Sequence, residues 1–153
     1  MMGTIDTTLQ YYQQNTDSFV EGTVSADMHD AQGRFLRMLL PHAYILDFGC
    51  GSGRDAKALL DLGYRVDAVD GCAELCQRAS ELIGRPVKRM LFKELSAVEQ
   101  YDGVWACASI LHLPKEELAG VLKKISEAFS RDKVALPYTF GTSSRLAEVS
   151  TVL

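Results

Sequence analysis

The chain has 153 residues, of which 47% are apolar and 24% are charged, as expected of a soluble globular domain with one core. Its net charge of −4, with no block of Lys and Arg to neutralise phosphates, argues against nucleic acid as a partner. No apolar run approaches the roughly 20 residues that cross a bilayer, and the first residues do not resemble a signal peptide. We therefore expect neither a membrane nor a nucleic acid as a partner.

The first 23 residues carry aromatic side chains but no clean period, and a helix is predicted from Ala26 to Leu40, ended by Pro41. An alternation of strands and helices follows. Strands are predicted at Ala43–Asp47, Tyr64–Asp70, Val87–Leu91, Gly103–Ala108 and Val134–Phe140. Helices are predicted at Asp55–Leu62 and Ala73–Ile83, and from Pro114 through the apolar stripe Leu118, Val121, Leu122, Ile125 and Phe129.

This alternation predicts an α/β fold, a Rossmann-like parallel sheet with helices on both faces. We expect one domain, with an N-terminal segment over 1–40, an α/β core over 41–140 and a divergent tail over 141–153. In such a sheet, ligands bind beyond the carboxyl ends of the strands, where the strand order reverses.

The most informative stretch, ILDFGCGSGRDA, begins at Ile45 inside the first predicted strand, and its glycines follow the end of that strand at Asp47. Gly49, Gly51 and Gly53 alternate in it, and Asp47 precedes them. Glycine permits positive φ and lets a ligand approach the backbone, and the helix that follows offers free N–H groups. The stretch therefore predicts a ligand-binding loop.

A second acid, Asp70, ends the second predicted strand. In dinucleotide-binding folds, an acid about 20 residues after the glycine loop binds a ribose, and Asp70 lies close to that position. The glycine spacing differs from the G-x-G-x-x-G of NAD sites, and Asp47 would be poorly placed beside a pyrophosphate. It would be well placed beside a cation. S-adenosylmethionine (SAM), which has an ammonium and a sulfonium, fits this pattern better than NAD.

ILDFGCGSGRDA, followed by GYRVDAVDGCAEL, resembles the class I SAM-dependent methyltransferases. The blocks YYQQNTDSFVEGTVSADM and YDGVWACASILHLPKEEL resemble small bacterial methyltransferases of the tellurite-resistance-like group. The resemblance covers roughly residues 11 to 125. It implies SAM as cofactor, S-adenosylhomocysteine (SAH) as product and a small-molecule acceptor.

The resemblance also implies roles for matched positions. The methionine part of SAM would be lined by Gly49, Gly51 and Gly53, with Asp47 and Cys50 beside them. The ribose hydroxyls would bind Asp70, and the adenine would lie near Gly71, Cys72, Leu91 and Phe92. The sulfonium would lie over Ala106, Cys107 and Ala108. The acceptor side would include Ser109 and His112, and the lid would include Tyr11, Tyr12 and Phe19. We assign catalytic roles to His112 and Tyr11. The residues assigned to cofactor binding are Tyr12, Asp47, Gly49, Cys50, Gly51, Gly53, Asp70, Gly71, Cys72, Leu91, Phe92 and Ala106.

The cysteines form no CxxC pair and the histidines match no zinc spacing, so we expect free thiols, a cytoplasmic location and no metal site. They are Cys50, Cys72, Cys76 and Cys107, and His29, His42 and His112.

The end of the chain departs from the family pattern, because few residues follow the fifth predicted strand and Pro137 interrupts it. We expect the C-terminal strand hairpin of the family to be lacking, and a homodimer to cover the open sheet edge. Two alternatives stay open, a non-catalytic SAM- or SAH-binding module and an NAD-binding oxidoreductase.

Overall fold

The computed structural model describes residues 4–25, 27–106, 113–130, 137–140 and 147–150. Within these residues the helices are α1 (Thr4–Gln14), α2 (Thr16–Thr23), α3 (His29–Leu36), α4 (Arg54–Asp61), α5 (Ala73–Ile83) and α6 (Lys115–Ala128). The strands are β1 (Tyr44–Phe48), β2 (Arg65–Asp70), β3 (Lys88–Arg89), β4 (Gly103–Trp105), β5 (Pro137–Phe140) and β6 (Ala147–Ser150). A short 3₁₀ turn lies at Phe92–Glu94. No helix in the described ranges is long and apolar enough to span a membrane.

Four of these strands form a parallel sheet in the order β3-β2-β1-β4. The chain runs outward from β1 to β3 and then returns past β1 to β4, so the strand order reverses beside β1. Asp47, near the end of β1, pairs with Ala68 on one side and Trp105 on the other. The predicted α/β fold is confirmed, and Asp47 lies near the carboxyl end of β1, where sheets of this topology bind ligands.

The two faces of the sheet carry separate apolar clusters. On one face, Ile45 and Trp105 pack with Phe35 of α3 and Leu59 of α4. On the other face, the cluster contains alternate residues of the strands and the stripe of α6, as the period-2 pattern of strands requires. That cluster includes Leu46, Phe48, Val69, Val104, Val121 and Ile125. Burial on both faces explains why β1 and β4 are apolar almost throughout.

Most predicted core elements are present with small shifts at their ends, and α5 begins and ends where predicted. The helix predicted over residues 26–40 is shorter in the structure, where α3 spans His29–Leu36 and a turn follows it. The third strand is reduced to Lys88–Arg89, both exposed at the sheet edge. Pro114 precedes α6 with an extended ψ of 144°, so it caps the helix rather than forming its first turn.

The first 23 residues, for which the sequence predicted no regular structure, contain α1 and α2, which contact each other and α5. Aromatic side chains of α1 and α2 pack against each other. The Tyr12 and Phe19 rings meet edge to face with their centroids 5.0 Å apart. The segment is therefore an ordered layer over the core.

The C-terminal segment contains the end of the fifth predicted strand, as β5, and a further strand, β6, in the tail that the sequence left unassigned. β5 pairs with β6 in an antiparallel two-stranded sheet, with Tyr138 opposite Val149. Pro137 is the first described residue of this strand, and residues 134–136, which the prediction also assigned to it, lie outside the described residues.

Candidate functional site

A cavity of about 280 Å³ lies at the carboxyl ends of β1 and β2. Its walls come from the loop after β1, from α1 and α2, and from the segment after β3. Most of the residues predicted to bind a cofactor line it, namely Tyr12, Asp47, Gly49, Cys50, Gly51, Asp70, Gly71, Leu91 and Phe92. The fold therefore brings predicted cofactor-binding residues from four separate parts of the chain into one cavity.

The glycine loop is fixed to the neighbouring strand by its backbone. The N–H groups of Gly49 and Cys50 donate to the Val69 carbonyl at 3.0 and 2.9 Å. Gly51 has a φ of 55°, and a Cβ built on it would lie 3.1 Å from the Phe19 ring. Both the backbone angle and the approach of α2 therefore require a residue without a side chain at this position.

Asp70 joins the end of β2 to this loop. Its Oδ2 accepts the N–H of Gly51 and its Oδ1 accepts the N–H of Cys72, each at 2.9 Å. Burial raises the pKa of Asp70, and these N–H donors partly oppose the rise. Since a carboxylate has about four lone-pair sites, Asp70 can accept hydrogen bonds from a ligand in addition to those from the backbone.

Asp47 carries a polar atom that the surrounding protein does not satisfy. The side chain is 2% exposed, and its Oδ2 has no hydrogen-bond partner among the described residues. Burial raises the pKa of Asp47 well above its usual range, and the carboxylates of Asp55 and Asp70 raise it further. A buried acceptor without a partner, among other acids, is suited to a cationic ligand group.

The N-terminal helices and the segment after β3 supply apolar walls. Tyr12 is half-buried, and burial followed by the nearby Asp70 raises the pKa of its phenol. Leu9 of α1 lies beside Gly71, where an added Cβ would be 3.2 Å from its Cδ2. Across the cavity, Leu91 and Phe92 present apolar surface, and the Phe92 ring packs edge to face on Phe48. Such walls suit a flat, partly apolar ring such as a nucleobase.

Within the described part of the chain, four predicted site residues do not line the cavity. Gly53 packs against Ala79 of α5, and Cys72 and Ala106 are buried in the core. Tyr11 is 60% exposed, and its ring packs edge to face on Tyr12. Tyr11 therefore supports the residue that faces the cavity, and its catalytic role stays a prediction.

The other predicted site residues lie outside the described residues. They are Cys107 and Ala108, predicted beside the sulfonium, and Ser109 and His112, predicted on the acceptor side. Cys50, Cys72 and Cys76 are free thiols, and burial raises the pKa of Cys76 to about 11, so this thiol is not a ready nucleophile.

Arg54 and Asp55, which were not among the predicted site residues, also line the cavity. Asp55 is buried one turn before the core residue Leu59. An acid at a core-facing helix position was the available signal, since such a side chain needs buried partners. Here its partners are Arg54, Gln32 and Trp105.

Solved structures share this architecture. DhpI in complex with SAH aligns over 89% of this chain and 68% of that chain, at 22% identity and a TM-score of 0.71. DhpI in a complex with SAM and HEP aligns over 90% of this chain, at 19% identity and a TM-score of 0.70. A TehB-like SAM-dependent methyltransferase from Corynebacterium glutamicum aligns over 90% of this chain and 75% of that chain, at 22% identity and a TM-score of 0.68.

These similarities, all at low identity, establish the fold. The chain spans 66% of the DhpI chain in the complex with SAM and HEP. No curated protein matches the sequence. The family described as "Methyltransferase domain" matches residues 45–132, more than half of the chain and the part that contains the glycine loop, Asp70 and β4. By this match the chain belongs to the methyltransferase domain family.

Proposed function

We propose that this chain binds SAM and transfers its methyl group to a small-molecule acceptor. The observation that carries the proposal is the cavity in which Asp70, the glycine loop and the unsatisfied Asp47 Oδ2 converge. The methyltransferase family supports SAM as the cofactor, and so do the related structures solved with SAM and SAH. The likeness to a TehB-like enzyme supports a place near the tellurite-resistance-like group.

The residues of the cavity fit the chemical groups of SAM. The Asp47 carboxylate would face the ammonium, because it is the buried acceptor without a protein partner. Asp70 would accept the two ribose hydroxyls on the lone pairs that Gly51 and Cys72 leave free. Leu91 and Phe92 would hold the adenine on an apolar wall.

SAM supplies an electrophilic methyl group on a sulfonium, and its leaving group is neutral. The protein then needs to hold the acceptor in line with that methyl group and to keep water out. Tyr12 and Phe19, in contact with each other above the glycine loop, are placed to exclude water. Because positioning supplies much of the acceleration, the proposal requires no general base among the described residues.

The proposal is tested by calorimetric titration of ligand-free protein with SAM, SAH and NADH in parallel. We expect micromolar binding of SAM and SAH and none of NADH. Binding of NADH without SAM would contradict the cofactor assignment and favour an oxidoreductase. Turnover with thiols, amines, small acids and tellurite as acceptors would then separate an enzyme from a non-catalytic binding module.

One similar structure was solved in a complex with a protein partner. A chain from the complex between the Haloferax volcanii Trm112 methyltransferase activator and a methyltransferase aligns over 82% of this chain and 58% of that chain, at 19% identity and a TM-score of 0.67. For this chain the homodimer and the cytoplasmic location stay predictions. Light scattering at high protein concentration tests the first, and a monomer would contradict it.

A further inference from the structure

One buried carboxylate connects three elements around the cavity. Asp55, 6% exposed at the start of α4, accepts hydrogen bonds from Gln32 of α3 at 2.8 Å and from the Trp105 indole of β4 at 3.0 Å. Arg54 donates to both of its oxygens, at 3.0 Å from Nε and 2.9 Å from Nη2. Four donors on one carboxylate make this a charge-assisted network with a fixed geometry.

The same guanidinium reaches a fourth element. Nη1 of Arg54 donates to the carbonyl oxygen of Thr23, the last residue of α2, at 3.0 Å. The last carbonyls of a helix lack partners within the helix and carry partial negative charge, so a cation there is favourable. Arg54 therefore fixes the C-terminal end of α2 to the first turn of α4.

Helix α2 carries the residue that closes over the glycine loop. The Phe19 ring lies so close to Gly51 that an added Cβ would meet it at 3.1 Å. Any movement of α2 away from α4 would lift Phe19 from the loop and open the cavity. A second polar contact, between Asp17 of α2 and Arg78 of α5, is a largely exposed ion pair.

We propose that Arg54 and Asp55 are positioning residues that hold α2 closed over the bound cofactor and, through Trp105, couple this closure to the end of β4. The inference rests on the proposed function, because it assigns the closure to the SAM cavity. The two residues act through Thr23 and Phe19 rather than on the reacting atoms. Loss of the contact should shorten the residence time of the bound cofactor more than it lowers the stability of the fold.

The test compares three variants with the wild type. Arg54→Met keeps a long side chain but removes every donor, and Arg54→Lys keeps the charge without the fork that spans Asp55 and Thr23. The Lys variant is needed because Arg54 also lowers the pKa of Asp47, which a lost charge would disturb. Arg78→Met, the matched control, removes the exposed ion pair between α5 and Asp17 of α2.

Two readouts are measured on each variant. The first is the SAH dissociation rate by stopped-flow fluorescence, for which Trp105, the one tryptophan of the sequence, is the probe. The second is hydrogen exchange of the α2 amides in ligand-free protein. We expect Arg54→Met and Arg54→Lys to release SAH roughly tenfold faster and to exchange faster in α2, as for the loss of a charge-assisted hydrogen bond. The control should stay within about twofold.

Each result decides the inference. Folded Arg54→Met protein with an unchanged SAH dissociation rate would overturn it, and so would an Arg54→Lys variant that behaves as the wild type. If the wild type binds no SAH, the proposed function fails. In that case hydrogen exchange alone decides whether Arg54 holds α2, and unchanged exchange in Arg54→Met would reject that contact as well.

Discussion

The carboxylate of Asp70 and the backbone N–H of Gly51 are joined by a 2.9 Å hydrogen bond that links the end of β2 to the loop after β1. The bond connects two motifs that are separate in the sequence. It holds the loop open toward the cavity while the second oxygen of Asp70 holds Cys72 at the start of α5. Asp70 thus shapes the site and also retains lone pairs for a ligand.

Asp70→Asn should therefore weaken SAM binding by roughly 10- to 100-fold, because the amide keeps the size of the side chain but loses a charge and one acceptor. Calorimetric titration with SAM measures the effect. Asp61→Asn, an exposed position on α4, is the control and should bind SAM as the wild type does. Equal affinity of Asp70→Asn and the wild type would remove Asp70 from the ribose site.

The order of the core elements could be predicted because each buried segment has the apolar pattern that its environment demands. β1 and β4 are nearly continuous apolar runs, and α6 repeats its stripe with helical spacing. The glycine loop and Asp70 could be predicted for a similar reason. Both are short sequence motifs that suit a ligand close to the backbone, and their positions at strand ends follow from the parallel sheet.

The N-terminal helices could not be predicted from periodicity, because no continuous apolar face is required of them. α1 and α2 use a few side chains, such as Leu9 and Phe19, to cover glycine positions of the core. The roles of Arg54 and Asp55 were hidden for another reason. Their partners, Thr23, Gln32 and Trp105, are distant in the sequence and meet them only in the folded chain.

Asp47 should cost the ligand-free protein stability near neutral pH. Folding raises its pKa, so between about 4 and the folded-state value the folded chain binds more protons than the unfolded chain. The free energy of unfolding contributed by Asp47 therefore falls as the pH rises through that window. Asp47→Asn removes this penalty and should stabilise the protein at pH 8 by on the order of 1 kcal/mol, with a smaller difference near pH 4.

Urea unfolding of the wild type and of Asp47→Asn at both pH values checks this prediction. Asp61→Asn serves as the control, because it makes the same change at an exposed carboxylate that pairs with Lys57 on the surface. A variant that is less stable than the wild type at pH 8 would mean that the Asp47 carboxylate is already satisfied when no ligand is bound.

Binding of a cationic ligand should release a proton from Asp47. The nearby ammonium favours the carboxylate, so the pKa of Asp47 falls on binding and the affinity rises with pH up to the folded-state pKa of the free protein. Calorimetric titrations with SAH at one pH, in two buffers of different ionisation enthalpy, measure the number of protons released. We expect release by the wild type and weaker, buffer-independent binding by Asp47→Asn. Buffer-independent binding by the wild type would contradict a contact between Asp47 and the ammonium.

Gly53 and Gly84 provide a matched pair for the packing behind the glycine loop. Both have positive φ, at 86° and 69°, but a Cβ on Gly53 would lie 3.0 Å from the Ala79 Cβ and 3.1 Å from its Cα, whereas Gly84 has open space. Gly84→Ala should cost about 1–2 kcal/mol for the left-handed backbone alone. Gly53→Ala adds overpacking against a helix backbone that cannot yield, and should cost roughly 2–5 kcal/mol in total. Urea unfolding of the two variants measures both losses. Equal losses would show that α4 and α5 can separate, and that the close approach of Gly53 to α5 does not fix the helix that follows the loop.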